Sequence, residues 1–330
     1  MAEAPRLPNF FIVGAPKAGT TALYAYLDQH PQVYMSPLKE PSYFASELRP
    51  ENFSDELRPR VAREMRALEQ YLRGDMREKR FGGLVSSWED YLKLYRHVSD
   101  QQAIGEATAS YLWSPTAARN IAARIPDARI IINLRNPVDR AHSQYLQMLS
   151  VGVIHGSFRE LIDASLKCQD QRLGIAWPLL EYGCYSGQIE RYYRAFQRSQ
   201  IHISYYEDLQ RSPRRLMADL FTFLRVDAGF VPDMSRRHHE PVIPRLDALS
   251  YHLKRAGAWA YLRRLAPTPL GPRLRSLLVR SRGSLQIRPD DRAFLTDYYR
   301  DDIAKLAALL NRDLSSWLDL GAHPRASKHE

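Results

Sequence analysis

Two hydrophobic rhythms alternate along the chain. Residues 10–13, 103–106, 129–134 and 201–205 are short, largely apolar runs, each followed by polar or turn residues, and they predict buried strands. Between them, apolar positions recur at helical spacing over residues 21–30, 116–124, 138–149 and 186–197, with a closing helix from 290 to about 310. Pro31 stops the first of these helices. Strand and helix in alternation predict an α/β fold, a central parallel sheet flanked by helices with ligand sites at the carboxyl ends of its strands.

Two segments depart from that rhythm. Residues 49–80 mix both charge signs densely, and Leu57, Val61, Met65, Leu68 and Leu72 fall on one helical face, so an inserted amphipathic helix is expected there. Its role is packing over the domain, with an acceptor lid or a contact to a second copy as the sharper reading. Residues 251–289 carry Lys254, Arg255, Arg263, Arg264, Arg273, Arg275, Arg280, Arg282 and Arg288 without one Asp or Glu. Such a one-signed stretch reads as a solvated or anion-facing surface within a basic C-terminal helical segment of about 251–320. With 330 residues, 45% of them hydrophobic, the expectation is a single domain over residues 1–330.

A formal net charge of +10 implies an anionic partner but does not separate nucleotide, acidic glycan, phospholipid and nucleic acid. Cys168 and Cys184 are too few for a disulfide framework and lack metal-ligand spacing, which points to a reducing compartment. The first eight residues hold an acid and two prolines before a four-residue apolar run, unlike a signal peptide or membrane anchor. A cytoplasmic protein without a transmembrane segment is the resulting expectation.

Candidate chemistry begins where the first strand meets the first helix, at Gly14-Ala-Pro-Lys-Ala-Gly-Thr-Thr21. Gly14 and Gly19 permit a tight bend, and Thr20 and Thr21 open a helix whose unpaired N–H groups suit a phosphate or sulfate. A Walker A loop places Lys directly after its last Gly, followed by Ser or Thr that holds magnesium. Here Lys17 precedes Gly19 by two positions, and the strand 129–134 leads into the cation Arg135 rather than ending in an Asp. No metal is therefore expected. Arg135 opens the second motif, Arg135-Asn-Pro-Val-Asp-Arg-Ala-His-Ser143, in which Pro137 begins a helix and Ser143 lies about two turns along it.

Together these motifs resemble the sulfotransferases that use 3'-phosphoadenosine 5'-phosphosulfate (PAPS), and the carbohydrate (heparan-like) and bacterial branches above all. The likeness extends to Lys39-Glu-Pro-Ser-Tyr-Phe44, Gly105-Glu-Ala-Thr-Ala-Ser-Tyr-Leu112, Tyr205-Tyr-Glu-Asp-Leu209 and Asn311-Arg-Asp-Leu-Ser-Ser-Trp317. The resemblance implies a single α/β domain with a P-loop-like turn and a transfer of sulfuryl from PAPS to a hydroxyl of a carbohydrate or other small acceptor. It implies that Lys17 meets the bridging oxygen, that the backbone N–H groups of Ala18, Gly19, Thr20 and Thr21 cradle the 5'-phosphate, and that Arg135 and Ser143 hold the 3'-phosphate. Glu40 corresponds to the general base, with Glu106 as the fallback. A late cofactor loop corresponds to Arg280 and Arg282. Where heparan-like members carry a Lys in the second strand, this chain has Ala107.

Two other classes stand beside that reading. A P-loop kinase is disfavoured by the position of Lys17 and the missing Asp, and a non-catalytic polyanion-binding module would act through residues 254–288. The acceptor, the role of the insertion and the oligomeric state are left open by the sequence.

Overall fold

Five parallel strands stand in the order β2-β5-β1-β6-β7: β1 Phe10–Gly14, β2 Val33–Met35, β5 Ala103–Ala107, β6 Arg129–Leu134 and β7 Ile201–Tyr205. A computed structural model describes residues 6–169, 172–174, 176–235 and 286–320. β1 is central, pairing with Gly105 and Arg129 on either side of Phe10, and its residues are fully shielded because helices cover both faces. Four of these strands follow from their apolar runs. β2, only three residues long, is too short for a pattern, and its pairing of Val33 with Ala103 makes it a strand.

The chain divides into two compact units. The first holds the described residues up to Arg135, then Ser165–Tyr182 and Gly187 to residue 235. Its core joins Phe10, Ile12 and Ile131 of the sheet to Leu23 and Leu27 of α1 (Thr20–Leu27) and to Met217, Leu220 and Phe221. Each such buried side chain contributes about 1.5–3 kcal/mol. The inserted helix is α2, Arg58–Arg73, and it buries Val61, Leu68 and Leu72 from the predicted face. Beside it β3 (Leu38–Lys39) and β4 (Arg80–Phe81) form a separate parallel pair. After α3 (Trp88–Lys93), α4 (Ala117–Arg124) occupies the expected span.

The second unit comprises Asn136–Ala164, Gly183–Ser186 and the described residues 286–320. Its α5, Pro137–Val151, starts where Pro137 fits the first turn and Asn136 Oδ1 accepts the Val138 N–H at 2.9 Å, and it ends at Gly152 with φ 67°. The remaining α-helices are α6 (Phe158–Lys167), α7 (Tyr185–Ala195), α8 (Tyr206–Arg211) and α9 (Pro213–Leu224), the last two within the first unit, and α10 (Pro289–Leu310). Within the second unit Arg292 of α10 pairs with Asp139 of α5 at 2.6 Å, and Asn136 Nδ2 donates to the Trp317 carbonyl at 3.1 Å. Among the described residues no helix is long and apolar enough to cross a membrane.

Candidate active site

The loop between β1 and α1 is held by atoms from β6, which lies beside β1. Asn133 accepts the Ala15 N–H on its carbonyl at 2.7 Å and donates its side-chain amide to the Ala18 carbonyl, so a single residue fixes both sides of the bend. Ser204 of β7 donates to Asn133 Oδ1 at 2.8 Å and sets the amide's orientation. Asn133 was not singled out from sequence, although an Asn inside Ile130-Ile-Ile-Asn-Leu134 is itself the signal: a buried amide must be paired.

Lys17 sits half-buried with φ 67°, a left-handed backbone that a lysine adopts only when its surroundings impose it. Arg135 supplies part of that constraint by donating from Nη1 to the Lys17 carbonyl at 2.9 Å. The guanidinium in turn lies 4.4 Å from the ring centroid of Tyr206. Tyr206 and Leu209 also close over Gly19, whose φ is 88° and whose added Cβ would meet Leu209 at 2.6 Å. Only glycine fits there.

No side chain caps the N-terminus of α1. Ala18 spends its N–H on the Ala15 carbonyl at 3.1 Å, which leaves Gly19, Thr20 and Thr21 to serve the predicted cradle. Uncapped N–H groups, the positive end of the helix dipole and the Lys17 ammonium together favour a bound anion. Ser143 is half-buried on α5, in the second unit. Arg280 and Arg282 lie outside the described residues.

Glu40 follows β3 with φ 66°. Its backbone N–H donates to the Ala107 carbonyl at 2.9 Å and its carbonyl accepts from Gly83 at 3.0 Å. Both carboxylate oxygens are held: Lys39 Nζ stands 2.5 Å from Oε1, and the Ala109 N–H donates to Oε2 at 3.0 Å. The carbonyl of Ala109 lies 3.1 Å from where a Cβ on Gly14 would be, so the residue that holds the carboxylate also leaves no room for a side chain at the start of the loop. Glu40 keeps 29% of its side chain exposed.

Glu106 is placed differently. It is fully buried on β5 and accepts from Tyr91 at 2.9 Å, Tyr111 at 3.1 Å and Thr108 at 3.0 Å. Burial pushes its pKa up to about 8, helped by the nearby Glu40 charge and opposed by the three hydroxyl donors. Burial likewise raises Tyr91 and Tyr111 well above the ordinary phenol range. This carboxyl group is enclosed by the hydroxyls that donate to it, whereas Glu40 keeps part of its side chain open to solvent. Among the described residues no group of three or more His, Cys, Asp or Glu side chains is arranged to hold a metal ion.

Comparison with known proteins gives this geometry a context. The profile described as the sulfotransferase family matches residues 8–229. A crystal structure of a sulfotransferase from Alicyclobacillus acidocaldarius is 30% identical, with a TM-score of 0.70 over 95% of this chain and 100% of that one. Human bifunctional heparan sulfate N-deacetylase/N-sulfotransferase 3 is 27% identical over 95% of this chain, and this chain spans 31% of that relative's length. Human carbohydrate sulfotransferase 15 is 26% identical over 94% of this chain and 54% of its own.

Proposed function

This chain belongs to the sulfotransferase family, enzymes that transfer sulfate, and on that footing we propose that its donor is PAPS and its acceptor a hydroxyl of a carbohydrate or other small molecule. The observation that carries this reading is the loop in which a left-handed Lys17, braced by Arg135, precedes an uncapped helix N-terminus. A phosphosulfate needs a cation and converging N–H donors, and the loop offers both.

PAPS supplies a sulfuryl group on a phosphate leaving group. Lys17 and the N–H groups of Gly19, Thr20 and Thr21 would hold the 5'-phosphate end, and Arg135 the 3'-phosphate. Glu40, held on both oxygens and partly open to solvent, would accept the acceptor's hydroxyl proton. As the acceptor oxygen bonds to sulfur, the bond from sulfur to the phosphate oxygen breaks and its electron pair stays on that oxygen. Lys17 answers the charge that accumulates there. Positioning and electrostatics carry such a displacement, with no covalent enzyme intermediate. The kinase and polyanion-module alternatives find no support among the relatives.

The test is transfer of labelled sulfate from PAPS to a panel of glycans, phenols, lipids and antibiotic-like scaffolds. Transfer to a saccharide-bearing acceptor that Lys17→Ala abolishes is the expected result. Equal turnover by that variant, or no calorimetric affinity for adenosine 3',5'-bisphosphate, overturns the assignment.

A further inference from the structure

Lys39 and Glu40 are neighbours in sequence, and in an extended strand neighbouring side chains point to opposite faces. Here they do not. Glu40 leaves β3 in the left-handed region, at φ 66°, and that turn accompanies the return of its carboxylate to within 2.5 Å of Lys39 Nζ. A non-glycine residue persists in this region only where its surroundings impose it. Glu40 is held there by Ala107 and Gly83 through its backbone. The Lys39 side chain is only 4% exposed, and among the described residues Glu40 is the partner found for its ammonium. A nearly buried cation is thus committed to one carboxylate.

The charges explain the arrangement. A sulfonate is an anion, and a hydroxyl that gives its proton to Glu40 must receive that sulfonate within a few ångströms of the carboxylate. Two like charges so close repel, the more strongly where water is excluded. We propose that Lys39 is a positioning residue for the transfer: it fixes Glu40 in one orientation and neutralises it, so that the anionic group can reach the acceptor beside it. When Glu40 takes up the proton it becomes neutral, and the ammonium charge is left facing the sulfated product as that forms. With Ala109 holding the other oxygen, the carboxylate is aimed before any acceptor arrives. This inference rests on the proposed sulfuryl transfer and adds to it a residue acting only through Glu40.

The test is a double-mutant cycle in the full chain on Lys39→Met and Glu40→Gln, with PAPS as donor and desulfated heparin oligosaccharide as acceptor probe. Lys39→Met, similar in volume and uncharged, should lower kcat about tenfold or more with little change in KM, since its effect appears only as charge redistributes. Glu40→Gln should lower kcat by about 10²–10⁴, the usual worth of a general base. The double variant should fall less than about twofold below Glu40→Gln alone, because residues acting as a unit are not additive. Lys39→Arg, which keeps the charge, should recover part of the rate, and adenosine 3',5'-bisphosphate should bind all five proteins equally by calorimetry. Additive losses, or a Lys39→Met protein as fast as wild type, overturn the role of Lys39 while leaving the transfer reaction standing. Wild-type protein inactive with every acceptor of the panel removes the transfer itself, and the inference falls with it.

Discussion

Arg135 Nη1 donates to the Lys17 carbonyl oxygen at 2.9 Å, joining two residues 118 positions apart. The strand-end arginine is therefore part of the anion loop's scaffold as well as a candidate anion ligand. Removing it should disturb both. Arg135→Ala is expected to weaken adenosine 3',5'-bisphosphate binding by about 10–100-fold, the worth of one charge-assisted hydrogen bond. Isothermal calorimetry reads this directly, and an unchanged affinity would refute it.

Gly19 is confined by backbone and by packing at once. With φ 88° and Leu209 only 2.6 Å from an added methyl, Gly19→Ala forces either the loop or α8 to move. Loss of donor binding together with a melting temperature lower by several degrees is expected, since strain and overpacking of this kind destabilise by about 1–3 kcal/mol. Combining it with Leu209→Ala removes the closest contact but neither the 3.1 Å approach to Tyr206 nor the φ constraint, and it empties a buried core position, so melting should not recover.

Glu106 makes stability depend on pH. Its pKa is raised from 4.5 to about 8 on folding, so between those values the folded protein binds more protons than the unfolded chain. The stabilising contribution of the protonated group is present at low pH and is lost as pH rises through about 8. Denaturant unfolding should show stability falling across this window by up to about 1.4 kcal/mol per pH unit from this group. Glu106→Gln should flatten that slope, and a slope identical to wild type would count against the assignment.

The same variant separates the two carboxylates. If Glu40 is the base and Glu106 is not, a folded Glu106→Gln protein keeps sulfate transfer within about tenfold of wild type, whereas Glu40→Gln loses about 10²–10⁴. Steady-state rates at one pH, beside circular dichroism to confirm folding, decide between them.

Four of the five strands in the sheet, the amphipathic insertion and the anion loop were legible because each is specified by residues close together in the chain. Apolar runs of four to six residues bounded by turn residues fit strands of a covered parallel sheet, being too short for buried helices, and a Gly-rich turn opening a helix presents its N–H groups wherever it occurs. β2 was missed because three residues carry no period. Asn133 was missed because its meaning depends on where β6 lies beside β1.

By itself, then, the sequence determined the element types, the parallel α/β class and the presence of Lys17, Glu40 and Arg135. It did not determine what those side chains do to one another. That Ala109 meets a carboxylate 69 residues away, that Asn133 ties both sides of the loop, and that Glu106 is enclosed while Glu40 stays partly open were settled only by the tertiary structure. The reason is physical: periodicity and turn chemistry act over a few residues, whereas burial, hydrogen bonding and charge pairing depend on which distant segments the folded core brings into contact.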